Sequence, residues 1–299
     1  MKISEAVEDY VLEIEIRKYA ERTVATYRDK IRCFGRFCED EIGIHELREV
    51  TSSHVKRYTQ YMLKRGCKGS YINSCLKSIK SWMAYSYEEH GEGFDASRGG
   101  IRWVKEDRPR IPIYTPKDVR KMLGNCKGRR FTDIRDAAII TMLFETGIRS
   151  NELCSIRPSD IQESFIVIAY AKGGKHRAVP ITPILKKAML RFERARESYF
   201  SCRRNEPFYF LSFTGKRLTH SGMQHILNKR SEGITGARCS PHTCRHFYAQ
   251  QQLKNKMDVY SLSRLLGHES VSITTAYLRS LGDADIVEMA RQSSVLTSL

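Results

Sequence analysis

The sequence has no run approaching the roughly 18 apolar residues that a membrane-spanning helix needs. Its N-terminus, MKISEAVEDY, carries acids early and has no apolar signal region. Together these absences predict a cytoplasmic protein. No CxxC pair occurs, and the nine cysteines (33, 38, 67, 75, 126, 154, 202, 239 and 244) are odd in number and irregular in spacing. That argues against a disulfide framework and predicts reduced thiols, several of them filling cores. Internal repeats and low-complexity tracts are also missing. The most localised absence is of acid: from Val50 to Tyr87 there is not one Asp or Glu in 38 residues.

What is present is positive charge. The chain of 299 residues carries 51 Lys and Arg against 34 Asp and Glu, a net +17, with a pI near 9.5. Such an excess predicts a polyanionic partner, nucleic acid or an anionic membrane surface. Residues 1–110 hold 21 basic and 18 acidic side chains, and the remainder holds 30 and 16. Most of the positive charge therefore lies in the second half. The acid-free stretch of the first half nevertheless contains Lys56, Arg57, Lys64, Arg65, Lys68, Lys77 and Lys80. A charge run is often only a solvated face. In a half that is otherwise acid-rich, this one predicts a phosphate-facing surface.

The length suits two domains. GEGFDASRGG (91–100) leading through KEDRPRIP (105–112) reads as a linker, which places the domains at 1–108 and 109–299. Apolar spacing in the first predicts four helices, at about 4–19, 22–41, from the Thr51-Ser52-Ser53 capping run to Gly66, and 69–89. The second is mainly helical with a small antiparallel β-sheet. FIVIAY (165–170) and HRAVPI (176–181) are strands around the glycine turn AKGGK (171–175). Helices are expected in PKDVRKMLGNC and DIRDAAIITMLFETG, then at about 184–200, 219–232, 241–254, 258–266, 270–280 and 283–293.

PHTCRHFYAQ (241–250) starts a helix with proline and sets His242 and Arg245 one turn apart on the same side. His242 and His246 are spaced as in some zinc sites, but the glutamate of HExxH is missing. Three further places stand with this one. Arg149 lies in TGIRSNEL (146–153), between a helix end at Gly147 and a helix capped by Ser150. Lys172 sits on the strand–turn–strand. LLGHESVSITTAYL (265–278) puts His268 after a helix-ending Gly267, and Tyr277 on the next helix. Each has an ordinary reading: a helix-end cation, a hairpin lysine, a helix-capping histidine, a half-buried aromatic. Together they describe phosphoryl transfer. Two arginines can clamp the non-bridging oxygens of one phosphate, and histidines can bond the same oxygens. A lysine can protonate a leaving oxygen, and a tyrosine hydroxyl can attack phosphorus. No acidic pair is left over for two magnesium ions, so the arginines would do a metal's electrostatic work.

These residues resemble the tyrosine recombinase, or phage integrase, family. TGIRSNEL, AKGGKHRAVPI, PHTCRHFYA, LLGH and TTAYL match its motifs in order and spacing across 141–278. The first half resembles the family's four-helix core-binding domain by pattern only. The resemblance implies a site-specific recombinase that works without metal or other cofactor. Tyr277 would be the nucleophile of a 3′-phosphotyrosyl intermediate, and Arg149 and Arg245 would stabilise its transition state. Lys172 would protonate the leaving 5′-oxygen, His242 and His268 would bond the phosphate, and Glu152 would support the site. His246 reads as structural. The implied partner is double-stranded DNA with paired inverted sites, bound by a homotetramer or a heterotetramer with a related recombinase. The helix at 283–293 would pack on a neighbouring subunit. In this sequence Leu278 and Arg279 follow the tyrosine where many members have Thr-His. The absence of a further N-terminal domain resembles Xer recombinases and small integrases. The tyrosine context leans towards a mobile-element enzyme that integrates and excises DNA through a Holliday junction, and resolution of chromosome or plasmid dimers is the alternative. Three remoter readings are a type IB topoisomerase, a metal-dependent nuclease and a catalytically dead DNA-binding regulator.

Overall fold

The structure, a computed structural model, describes residues 1–106, 114–169, 176–203, 205–234, 239–268 and 270–278. The chain divides into two compact units, Met1–Pro109 and Arg110–Leu299.

The first unit is built on four helices: α1 (Ile3–Ile16), α2 (Glu21–Phe37), α3 (Ser52–Lys64) and α4 (Gly69–His90). α1 buries Ile3, Ala6, Val7, Tyr10, Val11 and Ile14, the three-and-four spacing of a one-faced helix. α2 lies close against it, because a Cβ at Gly35 would stand 2.9 Å from Ile3 Cγ2. The second helix ends earlier than its apolar pattern suggests. Cys38–Ile42 forms a π-helical turn that closes on Gly43 in the left-handed region. Trp82 of α4 is the centre of the core, fully buried, and its indole N–H donates to Ala6 O at 3.1 Å.

The segment after α4 is less of a free linker than its composition suggests. Ala96 is fully buried, and Phe94, Ile101 and Val104 pack on the same core. Asn73 of α4 clasps the Val104 backbone through its N–H and its carbonyl, at 2.8 and 2.9 Å. Glycine and polar residues give the segment its loop shape, and four apolar side chains anchor it. Residues 107–113 lie outside the described residues.

The second unit is mainly helical with one two-stranded antiparallel sheet. After α5 (Pro116–Gly124), α6 (Phe131–Thr146) carries Ile139, Ile140, Met142 and Leu143, all fully buried. Its stretch Ala138–Phe144 is buried on every side, which places it inside the core. α8 (Pro183–Phe200) and α10 (Pro241–Lys254) pack on it. Between them in the chain come the short α7 (Ser150–Ser155), strands β1 (Phe165–Ala169) and β2 (His176–Pro180), and α9 (His220–Arg230). Arg230 of α9 is buried and reaches both Asp133 and Asp136 of α6 at 2.7 Å, fastening α9 to the core. The register pairs Phe165 with Pro180 and Ile168 with Arg177. Along β2, Arg177 and Val179 point inward and their neighbours outward. α11 (Val259–Leu266) and α12 (Val271–Leu278) complete the described chain. The turn at Lys172 and the helix expected at 283–293 lie outside it.

Candidate active site

Four helix ends meet in the second unit. α6 stops at Gly147, whose φ of +60° is the left-handed conformation that glycine adopts at no steric cost. Two residues later Arg149 begins α7. Arg149, not Ser150, occupies the N-cap position, with extended backbone, and Ser150 is already helical. Glu152 takes over the capping role, accepting the Arg149 backbone N–H at 2.9 Å. Its carboxylate also accepts from Arg149 Nη1 at 2.9 Å.

α10 starts at Pro241 behind Ser240, whose hydroxyl accepts the Thr243 N–H at 3.2 Å. One turn in, Arg245 is only 3% exposed. It donates to Gly147 O at 2.8 Å and Leu266 O at 2.7 Å. Arg149 Nη2 donates to the next carbonyl, Gly267 O, at 2.9 Å. Two guanidinium groups therefore satisfy consecutive carbonyls at the C-terminus of α11, where helix carbonyls have no partner of their own and the dipole favours cations. This places Arg149 and Arg245 side by side.

The cost of that arrangement shows in the proton equilibria. Burial and the Arg149 charge bring the Arg245 guanidinium down to about 10. Burial, helped by Arg245 and Arg149, brings His268 down to about 4. Burial, helped by His242 and Arg245, does the same to His246. His242 is more exposed, but partial withdrawal from water and the two arginine charges lower it too. All three histidines are thus held as neutral imidazoles at neutral pH. His268 Nδ1 shares a hydrogen bond of 2.7 Å with Thr274 Oγ1, which fixes its ring.

Tyr277 lies among them. It is 5% exposed and packs with Tyr248, Leu253, Leu262 and Leu266. Its ring stacks on His268 at 6.1 Å and meets His246 edge-on at 5.0 Å. Burial pushes its phenol above the ordinary value, against the charge and hydrogen bond of Arg245 and the charge of Arg149. The structure therefore brings together Arg149, Glu152, His242, Arg245, His268 and Tyr277. Lys172 falls outside the described residues.

Two neighbours have no place in the site as read from the sequence, where His246 reads as structural and Arg177 is not singled out. His246 lies between His242, at 4.2 Å, and the tyrosine. Arg177 of β2 forks onto Glu152 at 2.8 and 2.7 Å with its side chain 6% exposed. Its signal was its phase: an arginine two residues from Val179 falls on the inward side of a strand. Among the described residues, no group of three or more His, Cys, Asp or Glu could hold a metal ion.

The comparisons with known proteins give the family. Residues 113–282 match the model of the phage integrase family, and residues 7–88 match that of the phage integrase N-terminal SAM-like domain. The chain belongs to the phage integrase family. Its relatives are the tyrosine recombinases, enzymes of site-specific recombination. It is 30% identical to tyrosine recombinase XerC of Anoxybacillus flavithermus over 271 residues, 89% of each chain. It is 28% identical to tyrosine recombinase XerD of Oceanobacillus iheyensis, covering 91% of this chain and 92% of the relative. Its fold matches that of a lambda integrase fragment solved as a dimer on a COC′ core site. The TM-score is 0.73 at 16% identity, covering 95% and 97% of the two chains. The Tn1549 transposon integrase, solved with transposon right end DNA, matches with a TM-score of 0.71 at 18% identity over 98% of this chain and all of the other.

In the first unit Lys56, Arg57, Lys64, Arg65, Lys68 and Lys77 are exposed and Lys80 is half-buried. Among the described residues none of the seven forms an ion pair, while Arg17, Arg28, Arg32 and Arg48 of the same unit do. On α3, Arg57 and Lys64 share a face. No described helix is long and apolar enough to cross a membrane.

Proposed function

We propose that this protein cuts and rejoins double-stranded DNA through a 3′-phosphotyrosyl bond on Tyr277. One observation carries the reading: Arg245 donates to the Tyr277 phenol with the charge of Arg149 acting on it too, and Arg149 and Arg177 share a single carboxylate, Glu152. The cluster holds more positive charge than it neutralises, and a phosphodiester supplies the missing anion.

Arg149 and Arg245 hold the non-bridging oxygens and stabilise the added charge of the pentavalent transition state. Neutral His242 and His268 donate hydrogen bonds to the same oxygens without adding to the repulsion between the arginines. The phenol oxygen forms the new bond to phosphorus, its proton passes to a neighbouring base, and the bond to the 5′-oxygen breaks. Lys172 protonates that leaving oxygen. Attack by the 5′-hydroxyl of another strand reverses the step and rejoins DNA, so no external energy source is consumed. The seven basic residues of α3, α4 and the connection between them bind the DNA backbone.

The active assembly is a tetramer on paired inverted sites, formed from this chain alone or with a related recombinase. The segment 283–293 packs on a neighbouring subunit and strand exchange passes through a Holliday junction. Action on DNA places the protein in the cytoplasm. For the biological role, the tyrosine context supports movement of a mobile element. Similarity to XerC and XerD over about nine tenths of the chain supports the alternative, resolution of chromosome or plasmid dimers.

The test is covalent trapping, in chelator, on nicked duplex fragments from the DNA flanking the gene. Wild type is expected to give a protein–DNA adduct that survives denaturant, and Tyr277→Phe none. Sequencing the trapped DNA identifies the target and with it the biological role. Cleavage only with magnesium, and no adduct, would establish a nuclease instead.

A further inference from the structure

We infer that Arg177 is a positioning residue for the reaction: through Glu152 it sets the guanidinium of Arg149. The inference rests on the recombinase reading above and deepens it.

The Glu152 carboxylate accepts four hydrogen bonds. Oε1 takes Arg149 Nη1 at 2.9 Å and Arg177 Nη1 at 2.8 Å, and Oε2 takes the Arg149 backbone N–H at 2.9 Å and Arg177 Nη2 at 2.7 Å. Each oxygen thus serves both arginines. The two arginines differ in exposure. The Arg149 side chain is 41% exposed, whereas that of Arg177 is 6% exposed and that of Glu152 is 11%.

An exposed arginine is free to sample many rotamers, and holding it in one costs entropy. Arg149 is held by two anchors, Gly267 O and Glu152. Glu152 is a useful anchor only while ionised and fixed. Burial alone would push its carboxyl up; the hydrogen bonds and charge of Arg177, then the hydrogen bonds of Arg149, outweigh burial and hold it below its ordinary value. The planar fork of Arg177 also fixes the plane of the carboxylate. Without Arg177, Glu152 keeps one charged partner instead of two, and the anchor loosens.

The connection has a second consequence. Arg177 lies on β2, five residues after Lys172 in the sequence, and its backbone is paired with Ile168 of β1. The strand that follows Lys172 in the sequence is therefore fastened to the first turn of α7. One carboxylate ties β2 to the start of α7, where Arg149 stands.

The experiment is a double-mutant cycle on single-turnover adduct formation, using the trapped fragment. The proteins are wild type, Arg177→Gln, Arg149→Ala and the double variant, with DNA affinity and thermal midpoint measured for each. Arg177→Gln is expected to slow cleavage by about 10- to 100-fold, the weight of a charge-assisted hydrogen bond. DNA affinity should stay within about twofold, because the loss is confined to the transition state. In the Arg149→Ala background the same change should cost less than about twofold, because the group it positions is gone. Arg177→Lys, which keeps the charge and loses the fork, should recover part of the rate. Cleavage at the wild-type rate by Arg177→Gln overturns the inference. So does an equal loss in both backgrounds, which is the signature of general destabilisation. If Arg177→Gln does not fold, Arg177→Lys runs the same cycle. A wild type that forms no adduct with any fragment refutes the recombinase reading itself, and this inference with it.

Discussion

Arg149 and Arg245 share a role in the proposed chemistry but stand differently in the protein. Arg245 closes two buried carbonyls, so Arg245→Ala leaves both without a donor, at about 1–3 kcal/mol each. Arg149 is partly exposed and serves one carbonyl. Both alanine variants should slow adduct formation roughly 100- to 1000-fold. Only Arg245→Ala should also lower the urea midpoint substantially. The histidines make a pH prediction. His246 and His268 have folded values of about 4, below their ordinary 6.5. The unfolded chain takes up protons at these residues from about pH 6.5 downward, and the folded chain resists until about pH 4. The stability they contribute is complete above pH 6.5 and is lost as pH falls towards 4. Thermal unfolding should therefore come at lower temperature at pH 5 than at pH 7, with a smaller difference in His246→Gln.

Among the elements, the junction between α6 and α7 carries the most. A Cβ on Gly147 would stand 2.5 Å from Tyr248 Cδ1 and 3.0 Å from Leu266 Cδ2, on a backbone already in the left-handed region. Gly147→Ala should destabilise the second unit by about 2 kcal/mol or more. The same change shifts the carbonyl that holds Arg245, so adduct formation should fall with it. Calorimetry and trapping on one preparation check both. α10 was readable because Ser240-Pro241 is a strong helix start and HxxR has a fixed turn spacing. α7 was misread at its cap. Serine is the usual N-cap residue, and only the Glu152 carboxylate, three residues on, made an arginine acceptable there.

At the scale of the whole molecule, charge is the organising feature. With +17 overall and an acid-free stretch on α3 and α4, DNA affinity should fall steeply with salt. Replacing Lys64 and Lys68 together with alanine should weaken binding to all sequences alike and reduce the slope of log affinity against log salt by about 1–2. Filter binding or fluorescence anisotropy over a salt series measures both. A loss restricted to one sequence would mean that these lysines read bases instead of phosphates.

The sequence by itself determined the helical character of both units, the hairpin, the surplus of positive charge and the residues that match the family's motifs. These are local properties: periodicity, turn chemistry, and short spacings such as His242 to Arg245. The tertiary structure decided which groups share a site. Arg149 and Gly267 are 118 residues apart in the chain, Arg245 and Gly147 are 98 apart, and Arg177 and Glu152 are 25 apart. Separations of that length leave no periodic trace, because the contact depends on how α6, α10, α11 and β2 pack and not on the spacing along any one of them. The partner of Arg177 went unread for that reason, although its inward phase on the strand was legible, and so did the place of His246 beside Tyr277. A buried ion pair and a ring contact exist only once the elements that carry them have been brought together.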